Sequence, residues 1–224
     1  MKTFKLHLIR HGLTQGNLDG LYLGSGTDLP LCPQGREQLE QLAARFAYPQ
    51  PGTVFTSPLA RAVQTAELLF PAAQHRLEIQ QLREAGFGVF EGRRVEELVK
   101  DPDFARWMDP AAGFTPQGAE PTSQFHSRCA ETLMKLFEYM MKAGVPEAAC
   151  VTHGGVIMSM LSQRAVPTRR PEQWMADPGC GYTVQTDVQL WMRDKLVEAI
   201  DIVPFGYADT LQGQAEAEEN EAYE

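Results

Sequence analysis

Residues 4–12 read Phe4-Lys5-Leu6-His7-Leu8-Ile9-Arg10-His11-Gly12. A short apolar-rich run that ends on two basic side chains and a glycine has the form of a buried strand entering a loop. Working outward, residues 12–33 are rich in Gly, Asp and Pro and read as loop. From Pro33 the spacing of Leu39, Leu42, Ala43 and Phe46 is helical, and it stops before Pro49 and Pro51, which cannot continue it. Residues 53–56 then predict a second strand. Ser57 is placed as an N-cap with Pro58 in the first turn, so a helix is expected through Ala62, Val63, Ala66, Leu69 and Phe70.

Residues 76–82 predict a third strand, followed by a Gly-rich loop over 84–92. Short helical pieces at 95–100 and 104–108 lie in an insertion, 93–120, placed to cap a cleft. The spacing of Phe125, Cys129, Leu133, Leu136, Phe137 and Met140 marks a long amphipathic helix ending near Gly144. Residues 148–152 predict a fourth strand, and His153-Gly154-Gly155 opens a helix through Leu161. Residues 182–186, 188–192 and 196–202 look like strands, the last two joined by a turn at Arg193-Asp194-Lys195. Alternation of strand and helix predicts an α/β fold: a three-layer α/β/α sandwich around a mostly parallel sheet. One domain is expected over 1–207, with an acidic tail over 208–224.

Composition sets the class of partner. The chain has 224 residues, 43% of them hydrophobic, and a net charge of −9, which excludes a disordered or collagen-like chain. Asp209, Glu216, Glu218, Glu219, Glu221 and Glu224, with no Lys or Arg among them, place six of those nine charges in the tail. The rest carries −3 and shows no basic footprint for nucleic acid. No run approaches the ~20 apolar residues of a membrane span, and the first residues lead into a strand instead of a signal-peptide core. Cys32, Cys129, Cys150 and Cys180 are widely spaced, the pattern of free thiols in a reducing, cytoplasmic compartment. Oligomeric state stays open, a homodimer being one option.

In a parallel sheet the loops leaving the carboxyl ends of the strands meet along one edge, where ligands bind. Arg10 and His11 leave the first strand, Arg61 follows the second, Glu84 the third and His153 the fourth. Two imidazoles, two guanidiniums and a carboxyl group suit a phosphate monoester. Guanidiniums hold phosphoryl oxygens bidentately without a metal, and helix starts near Arg61 and His153 add anion-favouring dipoles. A neutral imidazole can attack phosphorus while a carboxyl group protonates the departing alkoxide. Each residue alone has a plainer reading: Arg61 as a helix-surface charge, Glu84 as a solvated loop acid, His153 as a helix start.

The longer strings decide between these. Leu8-Ile9-Arg10-His11-Gly12-Leu13-Thr14-Gln15-Gly16-Asn17 resembles the signature of the histidine phosphatase superfamily, the phosphoglycerate-mutase-like proteins. Residues 56–66 (TSPLARAVQTA), 82–92 (LREAGFGVFEG) and 151–155 (VTHGG) resemble that family's later motifs in the same order. The resemblance covers roughly residues 3–200. It implies His11 as the nucleophile that becomes phosphohistidine, Arg10, Arg61 and His153 as the phosphoryl clamp, and Glu84 as proton donor and later base. It also places Thr14, Asn17, Gly154 at the helix start and a backbone N–H at Gly24 on the phosphate pocket.

Departures are few. Leu13 stands where many relatives have Glu or Gln, Cys32 where a Ser or Thr cap is usual, and Pro121 follows Glu120 where Ser is common, which leaves Glu120 a weaker site candidate. The cap change is expected to weaken that helix start by about 1 kcal/mol. A zinc site at His7, His11 and His153 is disfavoured by Arg10 between the first two. No cofactor is implied. His75 and His126 are read as structural or exposed, Trp107, Trp174 and Trp191 as packing, and Arg83, Arg93, Arg94 and Arg106 as surface charges within reach of a leaving group. The uncharged Ala85-Gly86-Phe87-Gly88 after Glu84 favours water over a mutase-type acceptor. The expected activity is therefore phosphomonoester hydrolysis through phosphohistidine on a small metabolite, most like the small bacterial phosphatases, α-ribazole phosphatases and broad-specificity ones included; the alternatives are a mutase-type phosphotransferase and a non-catalytic phosphate-binding relative.

Overall fold

The computed structural model describes residues 2–208; all but the first residue of the acidic tail lies outside them. The elements run β1 (Thr3–Arg10), α1 (Gln15–Leu18), α2 (Pro33–Arg45), β2 (Thr53–Thr56), α3 (Ala60–Leu69), β3 (His75–Glu78), α4 (Val95–Leu98), α5 (Pro102–Met108), α6 (Thr122–Ala143), β4 (Glu147–Thr152), α7 (Gly154–Arg164), β5 (Ala165–Val166), β6 (Gly181–Asp187), α8 (Val188–Asp194) and β7 (Val197–Val203). The sheet order is β3-β2-β4-β1-β6-β7-β5. β6 pairs antiparallel with both its neighbours, and every other pairing is parallel.

Strand alternation divides the core in two. Leu6 and Leu8 of β1, Phe55 of β2, and Ala148 and Cys150 of β4 face one side, where Phe137 and Met140 of α6 and Val156, Ile157 and Met160 of α7 cover them. Ile9, Val54, Ala149 and Val151 face the other, under Leu39 of α2 and Ala62, Ala66 and Leu69 of α3. Both faces are buried, so the central strands are apolar on consecutive residues. The architecture is the expected α/β/α sandwich.

The differences from the sequence expectations have local causes. Residues 188–192 form α8, not a strand: Asp187 Oδ1 accepts from the N–H groups of Gln189 and Leu190 at 2.7 and 2.9 Å, and the expected turn is the helix end, with Lys195 left-handed at φ 54°. A five-residue, mostly apolar run fits either period, and the N-cap decides it. The third strand stops at Glu78, and Gln80–Leu82 is a 3-10 turn. The loop over 12–33 contains α1, capped by Thr14. Helix α3 starts at Ala60, past Ser57, and its first N–H is taken by Asp28 Oδ1 at 2.7 Å from a loop distant in sequence. Cys32 Sγ does serve as a cap, accepting from Gly35 N at 3.3 Å.

Candidate active site

Register brings the carboxyl ends of β1, β2 and β4 level, with Arg10 opposite Thr152 and Thr56 opposite Val151. The backbone then extends the match: His11 N donates to Thr152 O and Ser57 N to Val151 O, each at 2.9 Å. His11, Ser57 and His153 are thereby neighbours. The two imidazole centroids lie 5.1 Å apart in a T-shaped arrangement, and both rings are buried.

The ring nitrogens are distinguished by their partners. His11 Nδ1 lies 2.7 Å from Gly12 O, an acceptor only, so the proton sits on Nδ1 and Nε2 keeps its lone pair. Gly12 N in turn donates to Thr65 Oγ1 at 3.0 Å, and Thr65 Oγ1 donates to Arg61 O at 2.7 Å, which ties this loop to α3. His153 Nε2 lies 2.7 Å from Ser57 Oγ, while its buried Nδ1 has no partner among the described residues. Burial first, then Arg61, with Arg10 adding, holds the His11 imidazole down to about 3. Burial, followed by His11 and the same arginines, keeps His153 well below its ordinary value. Both rings are neutral at physiological pH.

The guanidiniums are held by carbonyls instead of carboxylates. Arg10 Nη1 donates to Ala176 O at 2.9 Å, and its buried Nε has no acceptor among the described residues. Arg61, only 1% exposed, donates from Nη1 to Thr27 O and from Nη2 to Gly24 O, each at 2.9 Å. Glu84 reaches in from the loop after β3. Its Oε1 accepts from Ala85 N at 2.9 Å and its Oε2 from Gly155 N at 3.0 Å. Burial pushes the Glu84 carboxyl up, against the pull of those two N–H groups and of Arg61 and Arg10. Arg128 of α6 fixes the approach to Glu84: Nη1 donates to Gln81 O and Arg83 O at 2.6 and 2.9 Å, and Nε and Nη2 grip Glu120 at 2.8 and 2.6 Å.

All five core candidates, Arg10, His11, Arg61, Glu84 and His153, thus meet at one edge of the sheet. Other candidates are placed differently. The Gly24 N–H, expected to face phosphate, is taken by Glu91 Oε1 at 2.7 Å. Thr14 turns its hydroxyl onto Asn17 Oδ1 at 2.9 Å, and its N–H goes to the same oxygen at 3.0 Å. Thr14 therefore orients Asn17, whose amide nitrogen remains the donor of that pair. Gly154, first residue of α7, lies along the Arg10 guanidinium, and its N–H has no intrahelical acceptor. Glu120 belongs to the Arg128 ion pair. His7 bonds Thr183 and Glu147 well back along β1 from Arg10. Arg93 and Arg106 pair with Asp101 and Asp103. Trp107 joins Tyr22, Phe87, Phe90 and Phe104 in an aromatic cluster that seats α5 on the loops flanking Glu84. Ser57, Thr65 and Glu91 carry no signal of a site role in the sequence beyond lying inside the family-like motifs.

The model for the histidine phosphatase superfamily, branch 1, matches residues 6–195. The chain belongs to that superfamily. It is 30% identical over 181 residues to the adenosylcobalamin/alpha-ribazole phosphatase of Escherichia coli K12, covering 79% of this chain and 87% of that one. It is 34% identical over 177 residues to fructose-2,6-bisphosphatase TIGAR B of Danio rerio, covering 75% of this chain but 63% of that protein, so the chain spans less than two thirds of that relative's length. The crystal structure of the alpha-ribazole phosphatase from Shigella flexneri superposes with a TM-score of 0.72 at 26% identity, covering 90% of this chain and 96% of that one. A phosphoglycerate mutase from Bacillus anthracis, 21% identical with a TM-score of 0.68, shares the fold. No described helix of this superfamily member is long and apolar enough to cross a membrane.

Proposed function

We propose that the protein is a metal-independent phosphomonoester phosphatase that works through phosphohistidine on a small phosphorylated metabolite. One observation carries this reading: half-buried Arg10 and buried Arg61, held among the described residues by carbonyls, flank two neutral imidazoles, one with a free Nε2 lone pair. Cations held back from water in that state call for an anion with several acceptor oxygens, and the phosphoryl group supplies three. Arg10 Nε and His153 Nδ1, without partners among the described residues, are further donors for it.

In this mechanism His11 Nε2 attacks phosphorus and the bond from phosphorus to the ester oxygen breaks. Glu84, whose carboxyl burial pushes up, gives its proton to the leaving oxygen. Arg10, Arg61, His153 and Asn17 hold the equatorial oxygens as charge spreads over them. Water then attacks the phosphohistidine, the Glu84 carboxylate takes its proton, and the N–P bond breaks to release inorganic phosphate and restore His11.

Water is favoured over a second phosphate acceptor by the charge balance at the mouth. Ala85-Gly86-Phe87-Gly88 carries no cation, Arg93, Arg106 and Arg128 are each matched to a carboxylate, and Arg83 and Arg94 donate to the carbonyls of Gln80 and Asp19. A leaving group without a second phosphate fits that balance better than a bisphosphate. The segment 93–120 serves as its cap, and the four free buried thiols suit a reducing cytoplasm. The test is hydrolysis of para-nitrophenyl phosphate in the presence of chelator. Turnover that His11→Ala abolishes supports the proposal; no turnover, or turnover unchanged by that substitution, overturns it.

A further inference from the structure

The loop of residues 24–28 touches three parts of the site at once. Asp28 Oδ1 accepts from the first N–H of α3 at 2.7 Å. The carbonyls of Thr27 and Gly24 hold the two ends of the Arg61 fork at 2.9 Å each. Ser25 N donates to Ala85 O at 2.9 Å, and Ala85 N donates to Glu84 Oε1 at 2.9 Å. The peptide that accepts from Arg61 is thus the same peptide that donates toward the Glu84 loop, so the two hydrogen bonds polarise one another in the same sense.

Glu91 closes this arrangement. Its Oε1 accepts from Gly24 N at 2.7 Å and its Oε2 from Phe87 N at 3.3 Å, so one carboxylate spans the loop that holds Arg61 and the loop that carries Glu84. The fit leaves no slack: a Cβ on Gly24 would stand 2.8 Å from Glu91 Oε2 and 2.9 Å from the Phe87 ring. Glu91 bonds none of the five core residues. Its charge nevertheless helps keep the Arg61 guanidinium protonated, after the larger contributions of Glu84 and Asp28.

We infer that Glu91 is a positioning residue for Arg61, bracing Gly24 so that the guanidinium is presented to the phosphoryl group in step with Glu84. A carboxylate bonded directly to Arg61 would occupy the donors that substrate needs and neutralise the charge that binds it. A carboxylate acting through the backbone of Gly24 steadies the fork and leaves those donors free. This role rests on the proposed function, because the group Arg61 is presented to is the phosphoryl group.

Calorimetric binding of inorganic phosphate and steady-state kinetics, each on wild type, Glu91→Ala, Glu91→Gln, Arg61→Lys and the double variants, form the test. Glu91→Ala is expected to weaken phosphate binding about tenfold, the loss of one charge-assisted hydrogen bond. Glu91→Gln should recover part of that, since its amide oxygen still accepts from Gly24 N. In the Arg61→Lys background, where the fork is already gone, either Glu91 substitution should add little. Equal losses in both backgrounds, or full binding by Glu91→Ala, would overturn the role of Glu91 while leaving the phosphatase reading intact. If Glu91→Ala does not fold, the Glu91→Gln cycle answers the same question. Wild type that binds no phosphate would overturn both.

Discussion

His153 Nε2 lies 2.7 Å from Ser57 Oγ, and that contact decides which nitrogen of His153 carries the proton. The proposed phosphoryl clamp needs a donor at His153 Nδ1, and Ser57, which accepts from Leu59 N at 3.3 Å, secures it by donating its own hydrogen to Nε2. His153 is then protonated on Nδ1, the nitrogen without a partner among the described residues. Ser57→Ala removes this control, and kcat is expected to fall roughly tenfold to a hundredfold, as when other partners that orient a functional imidazole are lost. Steady-state kinetics check it, with unfolding midpoints measured alongside. A kcat unchanged in Ser57→Ala would show that the tautomer is set by something else.

The helical glycine pair makes a second prediction because its two members face different things. A Cβ at Gly155 would stand 2.6 Å from Glu84 Oε1 and 3.1 Å from its Cδ, whereas a Cβ at Gly154 would meet Arg10 Nε at an ordinary 3.6 Å. Gly155→Ala must displace the carboxylate that accepts the residue's own N–H. Activity should drop on the order of a hundredfold, because a displaced proton donor no longer reaches the leaving oxygen. Gly154→Ala should stay within a few-fold of wild type if its N–H remains available. Equal losses in the two variants would contradict the asymmetry.

Much of the site is legible in the chain because each core residue sits at the end of an element with a strong pattern. The run from Phe4 to Ile9 marks β1, and Arg10 and His11 follow by adjacency; likewise His153 follows the apolar run of β4. What escapes a reading of the sequence depends on contacts far apart along it. Ser57 has the composition of an N-cap, but Asp28 caps the helix and Ser57 turns to His153, 96 positions away. Gly24 reads as a phosphate donor because nothing local reveals that Glu91 takes its N–H. Residues 188–192 have β-branched and aromatic content, and only the Asp187 cap makes them helix.

Glu84 predicts an alkaline limit to the reaction. The first step needs its carboxyl protonated and His11 neutral. Burial raises the Glu84 carboxyl from its ordinary value and lowers His11 to about 3. Since kcat/KM reports groups of the free enzyme, it should hold into mildly acidic solution and decline as pH rises through the Glu84 value. With para-nitrophenyl phosphate, whose leaving group needs no proton, that decline should be weak. Glu84→Gln should then release p-nitrophenol in a burst of about one equivalent and stall, because no base remains for the attacking water. A steady release without a burst would reassign the base.

The buried imidazoles predict how stability responds to acid. His7, His11, His126 and His153 all have values lowered in the folded protein, with burial as the first cause of each. In the unfolded chain they protonate near 6.5, so below that pH the unfolded state binds protons that the folded state refuses. Their contribution is therefore complete above about pH 6.5 and is lost as pH falls toward the folded values, for fully buried His11 by about 1.4 kcal/mol per pH unit. Glu84 acts in the opposite sense, since its raised value favours the folded state as it takes up a proton, but it is one group against several. Urea unfolding of wild type and His11→Gln at pH 7 and pH 5 isolates the nucleophile's share. Wild type should lose about 2 kcal/mol more than the variant between those two conditions. Equal losses would mean that folded His11 takes up its proton as readily as the unfolded chain does, and kcat/KM would then fall in mildly acidic solution as the neutral nucleophile is lost.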